Sequence, residues 1–447
     1  MSTTASQVEE LNTTMKKIAA SVGLIALGTT CLHAAEDSYS SAESGKLWKI
    51  SASLRGFYDD NVNTVSSGSP NRTSTAGFSF SPGGSFDWQR DGTTINLSYR
   101  YSLLYYGDQP ANSTSHYDQN HTFAAQLSHI INERYKFRVQ DSFVIGQEPD
   151  TLRSGDALTT TQRIPGDNIR NTGSIVFNAE LTPLFGIETG YENSVFDYKA
   201  NNSGQTTFVG ASQSGTSDRL EHTFHLDGRW QILPQTTGLL GYRYSQVNYT
   251  GNELIGINST SGALVFSRNR DSRTHTAYVG AEHLFNPDFS GIAKVGASFP
   301  DYYNDATSKS EAAPYVSLTA NYTYAPESYI QGGFTYDRNA TDTIGVISST
   351  RGITQSQQSA TVFAAITHRI IPNLFGSLNM SYQYSTFVGG QLDSRTEKYF
   401  LAGLNLRYQF SRYLSAELGY DYDNISSVST GRSYDRNKFY AGITGSY

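Results

Sequence analysis

Apolar and polar residues alternate along almost the whole chain. Between residues 274 and 303, Ala277, Val279 and Ala281 alternate with polar or small residues, and the same alternation resumes after Asn-Pro-Asp at 286–288. Successive side chains of a β-strand point to opposite faces of the sheet, so a period of two predicts strands. The short break containing proline predicts a tight hairpin between the two strands.

The same pattern recurs from one end of the chain to the other. It predicts about eighteen strands, near residues 46–60, 74–88, 93–106, 119–130, 134–147, 169–181, 185–198, 218–231, 236–249, 272–285, 288–302, 310–324, 328–339, 357–370, 374–387, 396–410, 413–425 and 433–447.

The connections between these strands alternate in length. Turns such as 90–92, 233–235 and 372–373 are short, whereas the segments 148–168 and 250–271 are long and rich in Ser, Thr, Asn and Gly. Membrane β-barrels have short periplasmic turns and long extracellular loops. The even number of strands also predicts that both termini lie at the periplasmic side.

The size of the predicted sheet indicates which of its two faces contacts water. A barrel of 16–18 strands is too wide for side chains to fill and leaves an aqueous channel. The polar face should therefore line the lumen, and the face built of Ala, Gly, Leu and Tyr should contact lipid. The sequence thus predicts an all-β fold, a transmembrane antiparallel β-barrel of about 18 strands of the outer-membrane type. Two or three secreted β-sandwiches in tandem are the alternative.

Aromatic residues followed by Asp or Asn mark the long-loop ends of many strands. Examples are Tyr-Asp-Asp-Asn at 58–61, Tyr-Tyr-Asn-Asp at 302–305 and Tyr-Asp-Arg-Asn at 336–339 and 434–437. Tyrosine is enriched where a membrane meets water, so the repetition favours an outer aromatic girdle. A calcium site formed by Asp59, Asp60, Asn61 and Asn63 is the alternative for the first of these segments.

The start of the chain resembles a secretory signal. Lys16 and Lys17 precede a short apolar run that ends in Ala34 and Ala35. We therefore predict a signal peptide at residues 1–35, with Met15 as an alternative start, a short periplasmic lead-in at 36–45, and a barrel at 46–447. The single cysteine, Cys31, lies in the signal; lipidation of Cys31 is the alternative. The mature chain would then contain no disulfide.

Composition and the C-terminus indicate the partners. The net charge of −7 argues against a nucleic-acid partner. The final strand ends in the aromatic residue Tyr447, like the signal read by the barrel assembly machinery, although Gly445 departs from that signal. We therefore expect contact with outer-membrane lipid and, during insertion, with the barrel assembly machinery.

The first predicted strand and its outer rim, "SASLRGFYDDNVNTVSSG" at 51–68, carry a family resemblance. With the strand count and the aromatic C-terminus, this segment resembles the putative β-barrel outer-membrane porin family that is associated with exopolysaccharide-export systems. The resemblance implies a pore in the outer membrane of a Gram-negative bacterium, and passage of polysaccharide in some members.

Motifs that indicate enzymatic chemistry are missing from the sequence. The nine histidines are scattered, and His222 and His225, three residues apart on a predicted strand, should lie on opposite faces. No Ser, His and acidic residue can be assigned to one inner face. We therefore predict no metal, no cofactor and no enzymatic activity, with an outer-membrane hydrolase as a remote alternative.

Charged residues at inward positions are the candidate pore lining. A basic row on the fifth strand comprises Arg134, Lys136 and Arg138. Neighbouring strands contribute Glu180, Glu188, Glu192, Glu221, Asp227 and Arg229. Cross-strand pairs such as Arg134 or Lys136 with Glu180 would neutralise the wall, whereas unpaired rows would create a field that orients polar solutes. Other inward charges are mixed in sign, so strong ion selectivity is not expected. Inward tyrosines such as Tyr278, Tyr399 and Tyr440 could stack on sugars or fill the wall.

These features together predict an outer-membrane pore for polar solutes or exported polysaccharide. A closed barrel that acts as a structural or surface-interaction scaffold is the alternative. The long segment 147–167 is the candidate constriction loop, because its Asp150, Arg153, Asp156 and Arg163 could narrow the lumen beside Arg138 and Glu192. A solvated surface loop, or constriction by 250–271 instead, remains open.

Overall fold

The computed structural model describes residues 46–110, 115–146, 168–199, 211–257, 262–305, 311–344, 353–429 and 431–447. Eighteen strands form one antiparallel sheet, in which each strand pairs with its neighbour along the chain and the first pairs with the last. Arg55 faces Gly442 in the closing pair, and the amide of Tyr447 donates to Ile50 at 2.8 Å. The sheet is therefore a closed barrel.

The barrel strands are β1 (Trp48–Asp59), β2 (Thr75–Arg90), β3 (Thr93–Tyr106), β4 (Tyr117–Ile130), β5 (Tyr135–Gly146), β6 (Asn168–Thr182), β7 (Phe185–Tyr198), β8 (Arg219–Leu233), β9 (Thr236–Tyr249), β12 (Ser272–Asn286), β13 (Phe289–Asp301), β14 (Ala313–Ala325), β15 (Ser328–Asn339), β16 (Ser356–Ile371), β17 (Leu374–Val388), β18 (Thr396–Ser411), β19 (Leu414–Ser427) and β20 (Tyr434–Ser446). A small hairpin, β10 (Leu254–Ile257) and β11 (Leu264–Phe266), lies between β9 and β12 in the chain.

The two ends of the barrel differ in their connections. At the short-turn end, Asp91 and Gly92 join β2 to β3 with φ angles of 46° and 78°. Two consecutive positive φ angles are typical of the two-residue type I′ hairpin, whose twist matches that of the strands. The long-loop end carries the β10–β11 hairpin, the short helix α1 (Gln213–Ser217) and a 3-10 helix at Ser267–Arg270.

The outer surface of the barrel is apolar. Val279 and Val295 on β12 and β13 are 54% and 56% exposed, whereas Thr276 and Ser298, on the inner face of the same strands, are fully buried. An apolar outer surface is stable in a lipid bilayer, because its side chains contact hydrocarbon there rather than water. Because one closed sheet includes all eighteen strands, the alternative of tandem sandwiches is wrong.

Aromatic residues ring the outer surface at both ends. Near the short turns, Trp48 packs on Phe86 and Phe285 stacks on Phe289, with ring centroids 4.6 and 4.5 Å apart. Near the long loops, the rings of Tyr420 and Phe439 lie 4.6 Å apart. These are the two aromatic girdles of a membrane barrel. Within the part of the chain that the structure describes, no helix is both long and apolar enough to cross a membrane.

Most strand boundaries predicted from the sequence agree with the structure within two residues. The predicted strands 93–106, 185–198, 236–249 and 328–339 match β3, β7, β9 and β15 residue for residue. The elements that the pattern did not predict are β10, β11, α1 and the 3-10 helix. Each has five residues or fewer, which is too short for a period of two or 3.6 to emerge. The predicted signal peptide and lead-in, residues 1–45, lie outside the described residues.

Candidate functional site: the inner wall of the barrel

Contacts between strands that are not neighbours identify the inner face. Arg55 on β1 binds Glu417 on β19 at 2.5 Å, and Arg243 on β9 binds Asp337 on β15 at 2.6 Å. The contact between Arg243 and Asp337, across three intervening strands, can form only through the lumen. With the alternation along each strand and the cross-strand register, these contacts fix which residues point inward.

The residues predicted to line the pore fall into two groups. Lys136 and Arg138 on β5 and Glu180 on β6 occupy inward positions, and Lys136 Nζ lies 4.0 Å from Glu180 Oε1. Arg134 lies in the exposed turn before β5, and its backbone oxygen accepts from Glu180 N at 2.8 Å. Of the two cross-strand pairs considered from the sequence, the structure places Lys136 near Glu180.

The second group lies on β7 and β8. Arg229 binds Glu188 at 3.5 Å and binds Glu282 on β12 at 2.5 Å. Asp227 is buried and accepts from Lys294 at 3.1 Å and, over a short distance, from Tyr278. Glu221 binds Arg219 at 2.5 Å. Glu192, also inward on β7, is exposed.

We refer to the network of Asp227, Arg229, Tyr278, Glu282, Lys294, Arg243 and Asp337 as the charged corner. Its members lie on β8, β9, β12, β13 and β15. Neighbouring strands are about 4.8 Å apart, so β9 and β15 are about 19 Å apart along the wall. An ion pair across that span requires the wall to curve tightly here. Glu282 and Asp337 are absent from the set predicted from the sequence, although their alternation would have placed them on the inner face.

Glycines allow the large side chains of the corner to lie flat on the wall. A Cβ atom added at Gly241 or Gly296 would overlap Tyr278, and one at Gly190 would overlap the ring of His225. The absent side chain at Gly241 thus provides space on β9 for the ring of Tyr278. Tyr278 and Asp227 are thus buried against the wall, whereas the other members of the corner are partly exposed.

The inner face of β16–β19 is also covered. Thr361 and Leu401 are fully buried, and Ser359, Gln383 and Ile425 are 1–3% exposed although they point inward. We call this inner face of β16–β19 the filled side. A bare cylinder would leave these side chains in water.

The inner faces of β3–β6 are different. Every inward residue is partly exposed, and none is buried, in the ranges 94–102, 120–128, 136–144 and 170–178. We call this surface the open wall. It carries Thr122, Gln126, Gln140, Ser142, Thr172, Ser174 and Asn178, with the cations Arg100, Lys136, Arg138 and Arg170. The space inside the barrel is thus asymmetric, and water has most access along the open wall.

The inward tyrosines do not present faces for sugar stacking. Tyr278 and Tyr399 are 5% and 2% exposed. Tyr440 lies against Gly419 and beneath the Arg55 guanidinium, which is 5.4 Å from the ring centroid, and its hydroxyl accepts from Asn405 at 3.1 Å. These rings serve as wall filler.

Two buried arginines connect the loops at the long-loop end. Arg270 donates to the backbone oxygens of Thr216, at 2.9 Å, and of Thr341, over a short distance. Burial lowers the pKa of the Arg270 guanidinium. Arg432 binds Glu397 at 2.6 Å and Asp342 at 2.8 Å. The loops that follow β7, β9, β15 and β19 are therefore tied together over the mouth.

A buried acidic cluster lies beside these ties. Ser212 donates to Glu253 at 2.5 Å, and Ser214 contacts both Glu253 and Asp218, the latter at 2.7 Å. Burial raises the pKa of Asp218 to about 6, although bonds from Ser214 and from the amide of Tyr198 act in the opposite direction. Asp218 caps the end of α1 through its backbone amide.

Neither metal binding nor a catalytic constellation emerges from the described side chains. Across residues 46–447, leaving aside the gaps in the description, no three His, Cys, Asp or Glu side chains form a group that could hold a metal. His222 points outward to Tyr191 at 2.7 Å, whereas His225 points inward and lies 3.8 Å from Glu188. At the first loop, Asp59 binds Arg436 and Asp60 binds Arg72, so the carboxylates considered for calcium are already paired.

The candidate constriction loop falls outside the described residues, and with it Asp150, Arg153, Asp156 and Arg163. Its two ends are defined by the register of β5 and β6, in which Gly146 faces Asn168.

Comparison with known proteins gives one family and several distant structures. The family model described as "Putative beta-barrel porin 2" matches residues 47–447. No curated protein matches the chain. Solved structures with similarity include OccAB4 of Acinetobacter baumannii, at 11% identity and a TM-score of 0.41, covering 91% of this chain and 100% of that one. The outer membrane protein OpdK of Pseudomonas aeruginosa is 12% identical with a TM-score of 0.40, covering 90% and 99%. The siderophore receptor PirA of Acinetobacter baumannii is 9% identical with a TM-score of 0.42, covering 89% and 80%.

Proposed function

The chain belongs to the putative beta-barrel porin 2 family, and from this premise we propose that it is a passive pore for small polar solutes in the outer membrane of a Gram-negative bacterium. The short turns would face the periplasm and the long loops the exterior, as in other outer-membrane barrels. Lipid and, during insertion, the barrel assembly machinery would be its partners.

The observation that carries this proposal is the open wall. An apolar outer surface surrounds an inner face of hydroxyl, amide and charged groups, and along the open wall every inward position in 94–102, 120–128, 136–144 and 170–178 is partly exposed. A closed sheet of this strand number encloses more volume than side chains fill. Polar solutes would therefore cross beside β3–β6.

Features of the lumen favour small solutes over a polysaccharide chain. The charged corner and the filled side occupy much of the inner surface, and Arg270 and Arg432 hold loops across the mouth. No row of exposed aromatic faces lies along the described inner wall to stack on successive sugars. Export of polysaccharide therefore rests only on the family resemblance.

The same filling favours a second candidate, a closed barrel that serves as a scaffold. The fully buried inward residues of β16–β18 are what a closed interior would show. An outer-membrane hydrolase has no comparable support, because the inward His225 contacts Glu188 and lacks a neighbouring serine nucleophile in the described contacts.

Liposome swelling distinguishes the pore from the scaffold. Purified folded protein is inserted into vesicles, which are then diluted into isotonic solutions of glycerol, arabinose or a dextran. A pore for small polar solutes gives fast swelling in glycerol and arabinose and none in dextran. Vesicles that swell no faster than protein-free vesicles in any of the three would favour the scaffold.

A further inference from the structure

We propose that the pore prefers small anions and that Arg138 is the residue that sets this preference. The inference rests on the proposed pore function and adds the charge class of the solute. Its basis is the uneven distribution of paired and unpaired charges over the inner wall.

The inner wall as a whole has mixed charges, but most of its carboxylates are neutralised away from the open wall. In the charged corner, Asp227 binds Lys294, Glu282 binds Arg229, and Asp337 binds Arg243. On the other side of the barrel, Glu417 binds Arg55, and Glu397 binds Arg432. These acidic groups are held by guanidinium or ammonium partners, so much of their charge is offset locally.

The carboxylates next to the open wall are also engaged. Glu180 lies 4.0 Å from Lys136, and Glu188 lies 3.5 Å from Arg229, a guanidinium that it shares with Glu282. In both pairs the carboxylate faces a cation. Glu180 and Glu188 therefore lie against cations other than Arg138. A third inward carboxylate, Glu192, faces Ser174 at the level of Gln140, one inward position beyond Arg138.

Arg138 differs from the other inward arginines. Its cross-strand partners are Ser128 on β4 and Val176 on β6, which carry no charge. The next inward residue on β5, Gln140, is neutral too. The Arg138 guanidinium is partly exposed and makes no ion pair with any described carboxylate. It thus places a full positive charge in the open half of the lumen.

The chemistry of Arg138 fits an anion. A guanidinium offers parallel N–H donors that match a carboxylate or a phosphate, and it keeps its charge at any physiological pH. Arg100 and Arg170 lie further along the same wall, on β3 and β6. Rings or rows of Arg and Lys are what select anions in other pores. Chloride, small carboxylates and phosphate would all be attracted, whereas potassium would be disfavoured.

The test is the reversal potential of the folded protein in a planar bilayer under a tenfold gradient of potassium chloride. The natural protein should favour chloride over potassium by about threefold, because each unpaired charge a few ångströms from the path changes local ion concentration by about twofold. Arg138→Gln should lower the chloride preference by about twofold, and Arg138→Glu should lower it further or invert it.

The matched control is Arg407→Gln, which removes the same charge from the filled side, where Arg407 donates to Ser415 at 3.3 Å. This variant should keep the natural ratio. The folding of each variant is checked by gel electrophoresis, in which a folded barrel migrates faster before heating than after it. Equal ratios in Arg138→Gln and the natural protein, or an equal loss in both arginine variants, would overturn the inference. Conductance without chloride preference overturns only this inference, whereas no conductance at all overturns the pore as well.

Discussion

Arg243 of β9 and Asp337 of β15 form an ion pair of 2.6 Å although three strands separate them in the sheet. The pair crosses the concave side of the wall rather than following its surface. It shows that the barrel is sharply curved between β9 and β15, and that side chains close this region of the lumen.

Breaking this pair should destabilise the barrel. Asp337→Asn leaves the Arg243 charge without its partner, and the loss of one partner from a half-buried pair costs about 2 kcal/mol, less than for a fully buried pair. The midpoint of heat unfolding in detergent should fall accordingly. The double variant Arg243→Met with Asp337→Leu should recover most of that loss. A double variant less stable than Asp337→Asn would show that the pair contributes more than packing can replace.

The topology predicts opposite environments for two adjacent residues of β17. Leu378 faces Ile366 and Leu404 on the outer surface, whereas Asn379 faces Ala365 and Gly403 on the inner face. In single-cysteine variants, a lipid-confined reagent should label Leu378→Cys and spare Asn379→Cys. Equal labelling of both positions would contradict the barrel assignment of this strand.

Asp218 should make the docking of α1 sensitive to pH. Its carboxyl has a pKa of about 6 when buried and an ordinary value of 3.8, so the docked form binds the proton more tightly. Docking is therefore strongest below 3.8, weakens as pH rises to about 6, and is constant above that. The nearby charged groups are Glu253, Asp197 and Arg219.

Limited proteolysis at 211–217 measures this effect. The natural protein and Asp218→Asn are treated with the same acid-tolerant protease at pH 7 and at pH 4.5. The ratio of the natural protein's cleavage rate to that of Asp218→Asn should be higher at pH 7. A constant ratio of the two cleavage rates over this pH range would show that Asp218 does not control the docking of α1.

Much of the fold could be predicted from the sequence, for a reason that β3 and β7 illustrate. Each strand has one face in lipid and one in the lumen, so its alternation is complete and its ends are marked by turn residues. The charged corner could not be predicted in the same way. The contact between Arg243 and Asp337 depends on the curvature of the whole sheet, which no local pattern encodes. The burial of Thr361 and Gln383 has the same origin, because alternation assigns a residue to the inner face without indicating what covers it.

The segment 147–167 remains the candidate constriction loop. Its sequence carries Asp150, Arg153, Asp156 and Arg163, and it follows directly from β5, which contains Arg138. If it narrows the lumen, deleting residues 151–162 should raise the single-channel conductance severalfold. An unchanged conductance in a correctly folded barrel would place this loop outside the path.

The central claim is that solutes cross beside the open wall, and blocking by cysteine modification tests it most directly. Ser174 points inward on β6 and is partly exposed, whereas Ser359 points inward on β16 and is 1% exposed. Each is changed to cysteine in a protein whose only native cysteine is Cys31. During single-channel recording, a bulky water-soluble thiol reagent should reduce the conductance of Ser174→Cys in a step and leave that of Ser359→Cys unchanged. A step at Ser359→Cys with none at Ser174→Cys would contradict the account.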